Sequence, residues 1–143
     1  LLQLVAFPTL ACSRAPGSPE PTNSELFQNA KSVFVAHVYR TEEKSWPLGS
    51  NKTPEPIVEA EFRVIEILKG MPPADSKVRD FVPGFGNCSL GLIAGFDYVF
   101  FIHEGQELVL WPGGSRTLMN IEAPGAQKYL ESLRQSLPKK SQP

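Results

Sequence analysis

Cys12 in "ACSRAP" and Cys88 in "GFGNCSLG" are the chain's two thiols, and His37 and His103 its two imidazoles. Few other side chains of this kind bear on chemistry. A nucleophile elbow needs glycines two before and two after the nucleophile. Gly86 meets the first condition around Cys88, but Leu90 fills the second place. Both histidines fall in strand-like runs with no cysteine or carboxylate at ligand spacing, so they read as packing or surface residues and not as a metal site. The sequence therefore predicts no enzyme, no cofactor and no metal of its own.

Cys12 has three readings: a lipid anchor, half of a disulfide, or a new N-terminus. Residues 1–10 are nearly all apolar, too short to span a bilayer as a helix, and begin without Met or a charged n-region. They read as the tail of a signal peptide, against the alternative of an ordinary buried strand. Thr9 and Ala11 are small residues at the positions that signal peptidase reads, so cleavage would expose Cys12. A lipoprotein signal prefers Leu third before the cysteine, a place that Thr9 fills poorly. Export places the chain outside the cell or in the envelope, periplasmic or extracellular, with membrane contact expected only for a lipidated Cys12.

Exported thiols are oxidised, and two cysteines allow one pairing, Cys12 with Cys88. Closing so long a loop contributes roughly 4 kcal/mol on the chain-entropy account. In a reducing compartment the same residues would be two unrelated buried thiols.

A length of 143 residues suits one domain with a core of its own. Fourteen basic and fifteen acidic side chains leave a net charge of -1, with no basic stripe to neutralise phosphates, so nucleic acid is not an expected partner. The domain is expected over residues 12–137, after the signal remnant at 1–11 and before a basic tail at 138–143.

The elements that must position Cys88 follow from punctuation and periodicity. In "SRAPGSPEPTN" three prolines and a glycine make an extended arm. Ser24 is the expected cap of a short helix over residues 25–30. "SVFVAHVYR" is apolar on both faces, as a strand inside a double-layered or closed sheet would be. The polar stretch over residues 41–56 reads as a long loop. In "IVEAEFRVIEILKG", Val58, Ala60, Phe62 and Val64 alternate with charged residues before the phase flips to Ile65 and Ile67. That slip predicts a β-bulge near Val64 and Ile65.

Further strands are expected over residues 77–82, 96–103 and 106–111, the last two joined by a tight turn at Glu104-Gly105. Ala126, Tyr129, Leu130, Leu133 and Leu137 recur at helical spacing after Pro124, and Pro138 ends that helix. The expected fold is all-β: a five-stranded OB-type barrel with a short N-terminal helix and a C-terminal helix. An immunoglobulin-like sandwich would want more strands and a buried Trp between paired cysteines.

Asn51-Lys52-Thr53 and Asn87-Cys88-Ser89 are N-glycosylation triplets, relevant in a eukaryotic secretory pathway. Trp46, Leu48 and the run from Phe81 to Phe85 could form a binding surface or anchor loops.

An exported cysteine near the start, "LFQNAKSVFVAHV", a strand ending "EILKG", "GNCSLG" and "GFDYVFFI" together resemble the netrin-like domains. The likeness points to the N-terminal domain of the tissue inhibitors of metalloproteinases and their bacterial relatives, and runs from Cys12 to about Gln135. In that family the mature chain usually begins Cys-x-Cys, with two bridges. By resemblance Cys12 and Cys88 supply the first. Arg14 and Gly114 stand where the second pair would be, so both of its halves are missing together.

The resemblance implies a secreted, non-enzymatic domain that binds a protein partner, such as a zinc metalloprotease. The α-amino group and carbonyl of Cys12 would chelate the partner's zinc, Ser13 would enter its specificity pocket, and Phe85, Gly86, Asn87, Cys88, Ser89 and Leu90 would form the adjoining ridge. The alternative is an envelope structural or adhesion module, lipid-anchored through Cys12, that binds protein or glycan. Lipidation would abolish chelation, because it blocks the amine.

Overall fold

A computed structural model of the chain describes residues 17, 19–84 and 87–137. The first regular element is helix α1 (Asn23–Asn29), and its cap is Thr22, not Ser24. The Thr22 hydroxyl accepts the Glu25 N–H at 3.2 Å while the Glu25 carboxylate accepts the Thr22 N–H at 2.7 Å, a reciprocal capping box. Ser24 lacks this geometry because it already lies inside the helix. At the other end Lys69 Nζ donates to the carbonyls of Phe27 (3.0 Å) and Gln28 (2.6 Å), placing a cation where the helix leaves acceptors open.

Strands β1 (Ser32–Leu48) and β2 (Thr53–Lys69) form one long antiparallel hairpin. The expected loop over residues 41–56 is therefore largely strand, from Thr41 opposite Ala60 to Leu48 opposite Thr53. Its polar composition reflects exposure and not irregularity. Pro47 and Pro54 face each other across the ladder near the hairpin tip.

Strand β3 (Lys77–Phe81) pairs with β2, and β4 (Asp97–Ile102) pairs with β1. Strand β5 (Arg116–Met119) completes an antiparallel sheet of order β3-β2-β1-β4-β5. The fold is thus mostly β, as expected, but no ladder among the described residues joins β3 to β5, and the sheet is open.

The fifth strand lies some ten residues later than the alternation in "QELVLW" suggests. A turn at Glu104-Gly105 is present, with the Gln106 N–H on the His103 carbonyl at 3.2 Å. The segment after it makes one main-chain bond to β3, Val109 N–H to the Arg79 carbonyl (2.8 Å), and then enters a 3-10 turn (Trp111–Gly113). Val109 is buried, so its alternation records packing beside β3 without a ladder.

The bulge read from the phase slip is present. Val35 faces Glu66 and Ala36 faces Val64, leaving Ile65 as the extra residue. Two further irregularities leave Leu68 and Tyr39 without opposite partners. The apolar phase does not pass to Ile65 and Ile67, however. They are 41% and 50% exposed, and Leu68 turns inward instead.

Strand β1 serves two cores, which explains why it is apolar on both faces. Val33 and Val35 pack with Phe27, Leu68, Val99 and Phe101 beneath the helices. Phe34, Ala36 and Val38 pack on the other side with Phe62, Tyr98 and Phe100, whose rings cluster at 5.0–6.0 Å from one another or from Phe34. Helix α2 (Pro124–Arg134) begins with Pro at its first position and buries Ala126, Leu130 and Leu133 in the first core. Arg134 fixes its far end through two bonds to the Glu66 carboxylate, at 3.0 and 2.8 Å.

Candidate functional site: the Cys88 loop

The β3–β4 connection carries Cys88, and the end of β3 determines its shape. Along β3, Val78 and Asp80 take the buried phase while Lys77, Arg79 and Phe81 take the other. A carboxylate thus points inward, with no exposed surface on Asp80. It is satisfied by neutral donors: the Phe81 N–H on Oδ1, and the Ser89 hydroxyl and Gly91 N–H on Oδ2, each at 2.9 Å. Burial pushes the Asp80 carboxyl above the usual range, and the hydrogen bonds from Gly91 and Ser89 oppose that rise in part.

Tyr98 makes the second anchor. Its hydroxyl donates to the Gly91 carbonyl and accepts the Ile93 N–H, both at 2.8 Å. Burial raises its phenol above the ordinary value. Asn87 makes the third, donating from Nδ2 to the Val82 carbonyl at 2.7 Å while its Oδ1 accepts the Ser89 N–H at 3.3 Å. Between these anchors Cys88 adopts φ +58°, a left-handed conformation that non-glycine residues seldom take and that the surrounding bonds must hold. Cys88 is not a free thiol.

Of the expected ridge, Asn87, Cys88, Ser89 and Leu90 belong to this anchored loop. Phe85 and Gly86 lie outside the described residues, as do Cys12, Ser13 and Arg14, so the expected Cys12 partnership and zinc-facing edge fall there too. Gly114, the other place matched to a lost cysteine, adopts φ +104°, and a Cβ there would meet Phe101 ring carbons at 3.0 Å. A cysteine at position 114 would therefore sit in a strained left-handed conformation and press on the Phe101 ring.

Neither histidine joins a metal-ligating group, and the described residues contain no cluster of three or more such side chains. His37 Nδ1 lies 2.8 Å from Asp97 Oδ1, whose other oxygen accepts the Ile121 N–H at 2.8 Å. His103 Nε2 lies 2.6 Å from the Gly113 carbonyl. These contacts tie β4 to β1 and to the segments flanking β5.

Periodicity missed two polar centres. Asp80 and Tyr98 could have been suspected only from a charged residue at an inward phase of "KVRDFV" and a hydroxyl at a core position. Glu59 sits on the outer face yet is buried, because Lys44 (2.8 Å), Lys77 (3.3 Å) and Arg79 (2.9 Å) close over its carboxylate. Desolvation pushes Glu59 up, but the lysine hydrogen bonds and the Arg79 and Lys44 charges outweigh it, and its pKa falls. Trp46 packs against the same group, with the Arg79 guanidinium 3.8 Å from its ring centroid.

A cleft of about 790 Å³ opens beside the hairpin tip, walled by Leu26, Leu48, Phe81, Leu108 and Leu110. Among the described residues no helix is long and apolar enough to cross a membrane. No protein-family model matches the chain, and comparison with curated proteins finds no significant match.

Proposed function

We propose that this chain is a secreted or envelope-located protein-binding domain of the netrin-like kind, related to the metalloproteinase inhibitors and acting without catalysis of its own. The observation that carries the reading is the Cys88 loop, immobilised from beneath by Asp80, Tyr98 and Asn87. The described part of the ridge, residues 87–90, is held in place before it binds, which lowers the entropy lost on association.

The strand order supports the same reading. An OB-type barrel would follow from the order β3-β2-β1-β4-β5 if its two end strands met, and the Val109–Arg79 main-chain bond sets the β4–β5 connection against β3 on that side of the sheet. In the proposed mechanism the Cys12 amine and carbonyl bind the open position of a protease zinc, and Ser13 enters the specificity pocket. Cys12 is held to Cys88 by a disulfide, and the ridge from Phe85 to Leu90 packs alongside.

Mass spectrometry of the mature N-terminus tests the first requirement, a free Cys12 amine with a Cys12–Cys88 bridge. Titration of that form against a panel of zinc endopeptidases tests the second, with inhibition expected at micromolar concentration or below. An acylated Cys12 overturns chelation and favours a lipid-anchored envelope module. A free amine that leaves the whole panel active overturns inhibition.

A further inference from the structure

Two triplets, Asn51-Lys52-Thr53 and Asn87-Cys88-Ser89, have the composition of N-glycan acceptors, yet the fold treats them in opposite ways. We propose that Asn51 is a glycan-acceptor site of the folded protein and that Asn87 is closed to the same reaction. The transfer needs two free groups: the Asn amide nitrogen and the hydroxyl two residues later.

At the second triplet both are engaged. Asn87 Nδ2, the atom that would be glycosylated, donates to the Val82 carbonyl at 2.7 Å, and a Cβ at Gly84 would come within 3.2 Å of it. The Ser89 hydroxyl is held by Asp80 Oδ2 at 2.9 Å and lies 3.1 Å from the Phe81 carbonyl. A glycan on Asn87 would break the Val82 contact and force apart the loop that carries Cys88.

At the first triplet both groups are open. Asn51 and Thr53 are exposed at the tip of the β1–β2 hairpin, and neither side chain has a hydrogen-bond partner among the described residues. The turn they occupy is lightly held, by Lys52 N–H on the Gly49 carbonyl at 3.2 Å and by Glu107 near Gly49 N (3.3 Å) and Lys52 Nζ (3.5 Å). Lys52 between them has φ +51°, so the chain reverses there.

The donor is a lipid-linked oligosaccharide diphosphate. A bond forms between Asn51 Nδ2 and the anomeric carbon of the sugar, and the bond from that carbon to the phosphate oxygen breaks. The lipid diphosphate leaves with the electron pair, and the amide proton passes to solvent. A glycan placed there would stand beside Leu48, Gly49 and Ser50 on the rim of the large cleft and screen its entrance.

Folded protein incubated with a single-subunit oligosaccharyltransferase and such a donor tests this without reference to export or inhibition. Intact-mass and glycopeptide measurement should find one glycan, on Asn51. Both Asn51→Gln and Thr53→Ala should abolish the addition, and Thr53→Ser should restore it, while circular dichroism stays unchanged. Occupancy of Asn87 in the folded protein overturns the proposal. So does failure to modify Asn51 under conditions that glycosylate an unstructured peptide carrying the same triplet.

Discussion

The Asp80 carboxylate and the Ser89 hydroxyl meet at 2.9 Å, and this contact ties the inward face of β3 to the loop that carries Cys88. Asp80→Ala removes the acceptor of the Phe81 amide and leaves the Ser89 hydroxyl and the Gly91 amide with only the longer contacts to the Phe81 carbonyl (3.1 Å) and to Ser89 Oγ (3.2 Å). A loss of about 2–4 kcal/mol in urea unfolding is expected, with faster hydrogen exchange at Gly91. Equal exchange rates in variant and parent would show that Asp80 does not hold the loop.

Stability should depend on pH in two opposite ways. Burial raises Asp80, so between the ordinary carboxylate range and its raised value the native state holds more protons than the unfolded chain, and stability falls as pH rises through that window. Glu59 and Glu66 are lowered, so what they contribute is present above the ordinary range and lost as pH falls through their lowered values. Urea midpoints of parent and Asp80→Asn across about pH 3 to 8 separate the two. The variant should lose the decline across the Asp80 window and keep the acid one.

Glu59→Gln leaves Lys44, Lys77 and Arg79 converging without the carboxylate they share, with Asp75 at 3.9 Å still beside Arg79. The expected cost is about 1–3 kcal/mol, below that for a fully buried pair because the two lysines keep roughly a third of their side-chain surface in water. Trp46 fluorescence should shift as the Arg79 guanidinium is released from Glu59.

The bulge at Ile65 decides which apolar side chains of β2 matter. Leu68→Ala should cost about 2–4 kcal/mol, because it empties a site between Val33, Phe27 and the helices. Ile65→Thr and Ile67→Thr should each stay within about 0.5 kcal/mol. If the isoleucine variants prove the costlier, the inward phase has been assigned to the wrong residues.

Gly114→Ala combines a left-handed main chain with a methyl group 3.0 Å from the Phe101 ring. A loss of about 1–3 kcal/mol is expected in thermal or urea unfolding. A neutral result would show that the Phe101 ring can move aside.

Much of the fold was legible because apolar period is a local signal. The double-faced strand from Ser32, the bulge near Ile65 and the spacing of Ala126, Leu130 and Leu133 all appear in the structure where the residues indicate. The reading failed where composition reports exposure and not conformation, as in the charged outer hairpin. It failed too at "QELVLW", whose alternation reflects one buried side beside β3 and no ladder.

By itself the sequence determined a mostly β domain with its helices, the position of its bulge, and a cysteine in the loop before the fourth strand. Tertiary structure alone decided that Asp80 and Tyr98 anchor that loop, that three cations bury Glu59, and that Asn51 stays open while Asn87 is closed. Periodicity arises from neighbours along one element, whereas those contacts join residues from different strands and loops. Their donors and acceptors find one another only once the sheet is assembled.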